Sequence, residues 1–340
     1  MTRLALALVA AAGVVSFAAA EAMRRASHVL GFTDAPNERS SHAAPTPRAG
    51  GIGFAFGVPI LAAAGMHAIA GSIGGADRAV LLAAPALAIV GLADDRWGLP
   101  PAVRMLAQLI AAGAVVAAGG VLHAVGIPGV FAVALGPLAV PLTIAWIVSV
   151  TNIYNFMDGI DGLAGVQAIV AALALASITA RLGHADLTIA LLTLCGGVLG
   201  FLILNRPPAR VFMGDVGSTF LGFLLAAWAV TGSTREPPVP FVAWVWALSV
   251  FLFDGLLTIA RRLLRGERIY EAHRTHVYQR LVAAGWSHGR TTALYGGLAA
   301  IVAGGIAAQA WLSLPAAGIY PMLALLLGLI PFIERRSVPR

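Results

Sequence analysis

The 340-residue chain contains no lysine: all 22 of its cationic side chains are arginine. Acidic residues number only 15, and charged residues of both signs make up 11% of the sequence. A soluble domain is ordinarily about one-quarter charged. So few charges cannot cover the water-facing surface of a soluble enzyme of this length. Disorder is excluded as well, because 59% of the residues are hydrophobic and disordered chains are poor in such residues. The single cysteine, Cys195, lies inside an apolar run, which excludes a disulfide framework and fits plain packing. A bilayer is the solvent this composition suits.

What the chain has instead is long apolar segments. Stretches of about 20 apolar residues read as membrane helices. Eleven are expected, over roughly 2–22, 52–72, 79–93, 103–124, 127–149, 162–181, 187–204, 216–232, 240–262, 291–312 and 316–333. The third is short, so ten is the alternative. The expected fold is an all-α polytopic bundle, with residues 1–340 forming one membrane domain. Arg3, an apolar run and Ala18–Ala20 imitate a cleavable secretory signal. Cleavage would leave Arg24, Arg25, Arg39 and Arg48 outside, against the tendency of arginine-rich loops to stay in the cytoplasm. The segment therefore reads as a retained anchor with a periplasmic N-terminus.

Eleven spans place loops 23–51, 94–102, 150–161, 205–215 and 263–290 on one side, together with the tail 334–340. With the adjacent helix ends, that side holds 18 arginines; the other holds only Arg3, Arg78, Arg181 and Arg235. The first side is expected to be cytoplasmic. Arginines in short loops between spans also remove nucleic acid as a partner, despite a net charge of +7.

The polar residues able to do chemistry gather on that same side. The first loop offers Arg39, His42, Thr46 and Arg48 among prolines and paired glycines; its arginines could grip phosphate bidentately or simply lie on anionic headgroups. Asp94 and Asp95 are adjacent carboxylates at a helix end, which repel unless a cation or a proton intervenes; a solvated cap is the plain alternative. Asn152, Asn155, Asp158 and Asp161 recur at steps of three and would share a face if helical. Four such groups in a membrane protein are costly to bury without a partner. Asp215 opens an apolar helix after Phe212, where a carboxylate can be a mere cap. His273 and His276 lie among arginines and would share a helical face. Asp254, inside a span, is expected to pair with a nearby arginine. Trp244 and Trp246 fit an outer aromatic belt.

Taken in order, Asp94–Asp95, Asn152–Gly165 and Met213–Ser218 resemble the diagnostic blocks of the polyprenyl-phosphate N-acetylhexosamine-1-phosphate transferases. The resemblance runs over about residues 30–290. It implies that a membrane polyprenyl phosphate, undecaprenyl phosphate in bacteria, attacks the β-phosphorus of a UDP-N-acetylhexosamine. UMP leaves, and a lipid-linked sugar diphosphate begins a surface polysaccharide such as O-antigen. It implies Mg²⁺, with Mn²⁺ as a substitute, held by Asp215 with Asp94 or Asp158. Asp94, Asp95, Asp158 and Asp161 become the candidate catalytic carboxylates, with one of the first pair helping to deprotonate the lipid phosphate. Arg39, His42, Thr46, Arg48, Asn152, Asn155, Phe212, His273 and His276 become substrate contacts, with Phe212 stacking on uracil. The pentapeptide-transferase branch carries adjacent histidines. Here Arg274 and Thr275 separate the pair, which favours simple UDP-HexNAc donors, with GlcNAc first and a deoxy-aminosugar donor or the pentapeptide transferase itself as the alternatives. The donor, the carrier lipid and membrane lipids are the expected partners, and a homodimer stays open. The rivals are a transporter, whose site would lie near the bilayer midplane, and a lipid-binding scaffold, which leaves the carboxylates unexplained.

Overall fold

The computed structural model describes residues 2–34, 45–267 and 274–337. It is mostly helical, as apolar runs of this length require: in lipid, backbone polar groups must bond within their own segment. The helices in chain order are α1 (Thr2–Leu30), α2 (Ile52–Ala70), α3 (Gly75–Trp97), α4 (Pro101–Ala117), α5 (Ala139–Phe156), α6 (Leu163–Arg181), α7 (Ala185–Asn205), α8 (Asp215–Ser233), α9 (Phe241–Ala247), α10 (Ser249–Leu264), α11 (Val277–Ala283), α12 (His288–Leu312), α13 (Ala316–Leu327) and α14 (Leu329–Ser337). Among the described residues, nine helical segments are long and apolar enough to cross a membrane. The pair α9–α10, bent by 76°, makes a tenth. The eleventh expected span is the 17-residue α4, which is shorter than the others. The chain is thus a polytopic helical membrane protein whose span count by this measure is nine to ten.

Two small antiparallel sheets interrupt the helical plan: β1 (Thr33–Asp34) with β2 (Thr46–Pro47), and β3 (Ala124–Ile127) with β4 (Phe131–Ala134). The second sheet corrects the span expected over 127–149. Gly126, Pro128 and Gly129 break helical continuity there, with Gly129 at φ +75° in the turn. The helix begins only at Ala139. Other helices outrun their expected ends, so the loop expected over 94–102 shrinks to residues 98–100. Trp244 is another correction. It is fully buried rather than part of a belt, its ring lying against Gly232 of α8.

Helices α7 and α8 form the centre. Helix α7 packs on α1, α2 and α6, while α8 packs on α2, α3, α5 and α9. Every residue of α8 from Val216 to Gly232 is buried, as expected of a helix apolar all round. Small residues permit these close approaches. A side chain at Gly196 or Gly200 of α7 would strike the backbone of α1 at Val9 or Gly13.

Two other glycines position the site. A Cβ at Gly91 of α3 would lie 2.5 Å from the Asp215 carbonyl oxygen, and one at Gly222 of α8 would lie 2.9 Å from Thr151 Cα of α5. Helices α3 and α5 can therefore touch α8 backbone to backbone. At the far end of α8, Arg235 bonds Asp77 of α3 at 2.6 Å and Asp186 of α7 at 2.8 Å. That triad fixes where α3 starts beside the end of α8. With the two helices antiparallel, the last turn of α3 meets the first turn of α8.

Gly91→Val should destabilise the protein by about 1–3 kcal/mol through overpacking and push Asp94 and Asp95 off α8. Melting in detergent checks this; an unchanged melting temperature would contradict the close α3–α8 contact.

Candidate active site

A helix start leaves its first amide groups without partners. Helix α8 begins after Gly214, whose φ of +75° suits glycine and whose side chain is too small to cap. The cap comes from α3 instead. Asp95 accepts the Asp215 amide at 2.9 Å through Oδ1 and the Val216 amide at 3.1 Å through Oδ2. A carboxylate is favoured there by the positive end of the helix dipole. Any side chain at Gly214 would collide with this carboxylate.

Asp94, one position earlier, points elsewhere. It accepts the Leu99 amide at 2.6 Å and receives Arg104 Nη1 of α4 at 2.8 Å. The same Nη1 lies 3.5 Å from Asp215 Oδ2. The carboxylates of Asp94 and Asp215 themselves come within hydrogen-bonding reach. On the other side of Asp215, Asn155 of α5 donates to its Oδ1 at 3.0 Å and to Ser218 Oγ at 2.8 Å. Four helices thus deliver Asp94, Arg104, Asn155 and Asp215 to one point.

The step-of-three motif divides between helix and loop. Asn152 and Asn155 lie on the last turns of α5, and Asp158 and Asp161 lie beyond its end at Phe156. Gly162 at φ +76° opens α6. Asn152 makes a reciprocal amide pair with Gln108 of α4, at 2.5 and 3.3 Å. Asp161 ties the loop down: it accepts the Ala209 amide at 3.0 Å and lies 3.2 Å from His288 Nδ1 of α12. The half-buried Asp158 carboxylate makes no hydrogen bond or ion pair among the described residues. Burial, then the charges of Asp95 and Asp161, push it up to about 7.

The end of the first loop, residues 45–51, bonds to the segment before α8. The Gly50 and Gly51 amides donate to Phe212 and Met213 carbonyls, each at 2.9 Å, and the Phe212 amide donates to Pro47 at 2.7 Å. Thr46, Arg48 and Phe212 are thereby brought together, and the Arg48 charge acts on Asp95. Arg39, His42 and His273 lie outside the described residues.

His276 is placed by another network. Asp254, fully buried, accepts His276 Nδ1 at 3.1 Å, the Tyr295 hydroxyl at 2.5 Å and the Val277 amide at 3.0 Å. Those partners replace the arginine expected for Asp254. His276 precedes α11 as its N-cap and lies outside the helix. Tyr278 links this network to the site loop by donating to the Phe156 carbonyl at 2.9 Å.

Sequence reading missed Arg104, Gln108, Ser218 and His288. Arg104 had a signal: it is the only charge inside the apolar run 103–124, and Gln108 follows one turn later on the same face. His288 had none, since its role depends on α12 folding back to the loop.

The donor set fits a hard divalent ion. Asp94, Asp215 and Asn155 offer oxygens, with no cysteine near. Among the described residues, no group of three or more His, Cys, Asp or Glu forms a closed metal cage. Magnesium commonly takes one or two carboxylates and leaves its remaining positions to phosphate and water.

Residues 78–233 match glycosyl transferase family 4. A probable undecaprenyl-phosphate N-acetylglucosaminyl 1-phosphate transferase of Bacillus subtilis is 30% identical over 269 residues, covering 78% of this chain and 74% of the relative. A decaprenyl-phosphate N-acetylglucosaminephosphotransferase of Mycobacterium tuberculosis is 31% identical over 328 residues, covering 88% and 80%. The chain belongs to glycosyl transferase family 4. A third family relative, an undecaprenyl-phosphate alpha-N-acetylglucosaminyl 1-phosphate transferase of Yersinia pestis, is 28% identical over 272 residues, covering 78% and 73%.

Two outcomes are expected from this geometry. Asp95→Ala removes the cap on α8 and should cost about 0.5–2 kcal/mol, whereas Asp95→Asn, with one acceptor oxygen in place of two, should recover only part of that in the same melting experiment. Asp158 is protonated below about pH 7 and ionised above it. A nearby bound cation favours the ionised form, so Mg²⁺ titrated in weak buffer at pH 7 should release protons. The release should shrink in Asp158→Asn and fade above pH 9. Equal release from both proteins would contradict the assignment.

Proposed function

We propose that this protein transfers N-acetylglucosamine-1-phosphate from UDP-GlcNAc to a polyprenyl phosphate in the membrane, releasing UMP. The observation that carries this reading is the meeting of Asp94, Asn155 and Asp215 with Arg104 at the ends of apolar helices, close to Arg48. Anion-binding arginines and cation-binding oxygens are both needed to hold a diphosphate. The names of the three relatives support the sugar and the class of lipid.

Asp94, Asp215 and the Asn155 amide would hold Mg²⁺, and Mn²⁺ could substitute. When bound, the ion supplies neutralisation of the donor diphosphate and of the charge left on UMP. The protein's own task is positioning, which dominates phosphoryl transfer. Arg48 and Arg104 bind phosphate oxygens, and Asp95 keeps the first turn of α8 aimed at them. The acceptor phosphate is already ionised near neutral pH. One of its oxygens attacks the β-phosphorus directly, and the bond from that phosphorus to the bridging oxygen breaks toward UMP. Asp158, with its raised affinity for protons, can take the remaining proton of the acceptor. Phe212, seated by the first loop, is the surface for uracil.

The 18-to-4 arginine division supports placing the carboxylate face in the cytoplasm, with the chain in a bacterial inner membrane. The product would start a lipid-linked surface polysaccharide, O-antigen or a related polymer. A transport reading gains nothing from carboxylates at helix ends.

Full-length protein in nanodiscs, given UDP-GlcNAc, undecaprenyl phosphate and Mg²⁺, should release UMP. Asp215→Asn should lower turnover by about 10²–10³-fold, the scale of losing one electrostatic element of a transition-state site. No UMP release with any UDP-HexNAc would overturn the reading.

A further inference from the structure

Two carboxylates that face each other at a membrane border need positive charge between them. Among the described residues, Arg104 supplies it: Nη1 lies 2.8 Å from Asp94 Oδ2 and 3.5 Å from Asp215 Oδ2. Its Nε and Nη2 make no hydrogen bond or ion pair among the described residues. Its side chain is 35% exposed, while that of Asp94 is 8% exposed. The stem, by contrast, is anchored. Gln108, one turn along α4, is locked to Asn152 of α5, and Pro101 starts the helix. A fixed backbone with a half-exposed head lets the guanidinium turn without moving α4.

The same carboxylate oxygens are those that would receive a divalent ion. Arginine cannot resolve that conflict by losing its proton; it can only move. Its natural destination is the diphosphate, because a guanidinium fork matches phosphate oxygens.

We propose that Arg104 is a tethered counter-cation. Without a divalent ion it fills the gap between Asp94 and Asp215. The ion displaces it, and the freed guanidinium turns to the donor diphosphate. The inference rests on reading the site as metal-dependent. It has two consequences. Arg104 weakens binding of the ion alone, because the two compete. It also couples the ion to the donor, because the diphosphate gives the displaced guanidinium a new partner, and such coupling is reciprocal.

The test is Mg²⁺ affinity by calorimetry on full-length protein in nanodiscs, without nucleotide. R104Q should bind Mg²⁺ about tenfold tighter than wild type, the scale of one guanidinium–carboxylate contact near water, while its turnover falls. R104K keeps the charge and should stay near wild-type affinity. UDP-GlcNAc should tighten Mg²⁺ binding more in wild type than in R104Q. A purely structural arginine would lower turnover without tightening the ion. Equal or weaker Mg²⁺ affinity in R104Q overturns the proposal. Saturable Mg²⁺ binding by neither protein overturns it together with the metal reading beneath it. Wild type gives an independent measurement should R104Q fold poorly. Modification of Arg104 by phenylglyoxal, followed by mass spectrometry, should speed up in saturating Mg²⁺; an unchanged or slower rate overturns the proposal.

Discussion

The start of α8 is the constraint on which the site depends. Its first amides need acceptors, its dipole favours negative charge, and its own cap position is a glycine. Asp95 answers both needs from α3. Doing so draws Asp94 next to Asp215, which places two carboxylates where a cation or a proton must relieve their repulsion. The structural requirement of one helix end thereby creates the electrostatic demand that defines the site.

Everything around this contact serves to hold it. Gly91 and Gly222 bring α3 and α5 against α8, and the Arg235 triad fixes the opposite end. The Asp254 network buries a charge deep in the fold, yet its geometry makes sense as a brace. It caps α11, and Tyr278 of α11 ties to the end of α5 just before Asp158. Fixed carboxylates on rigid helices suit phosphoryl transfer, where placement of charge matters more than covalent participation by the protein.

Much of this was legible in the sequence, for identifiable reasons. Apolar length gave the helices, because in lipid the backbone must be satisfied locally. The gathering of Asp94, Asp95, Asn155, Asp158 and Asp215 on one face followed from alternation of spans. What the sequence could not separate was the division of labour. Asp94 and Asp95 look alike in one dimension, yet one caps a helix and the other meets Arg104. Asp158 and Asp161 likewise diverge, one without a bonded partner among the described residues and the other pinned by His288 and the Ala209 amide. Such differences arise from contacts between helices far apart in the chain. The hairpin over 124–134 was missed because a short apolar run reads equally as helix or strand.

The central claim is that the oxygens of Asp94 and Asp215, at the start of α8, would hold a divalent ion that pairs with the donor diphosphate. A cryo-electron microscopy structure of the full-length protein in nanodiscs, with UDP-GlcNAc and Mg²⁺, examines this directly. The account expects density for an ion beside Asp215, with the Arg104 guanidinium turned from the carboxylates to phosphate. A diphosphate bound away from these residues, or an ion with no contact to Asp94, Asn155 or Asp215, would contradict it.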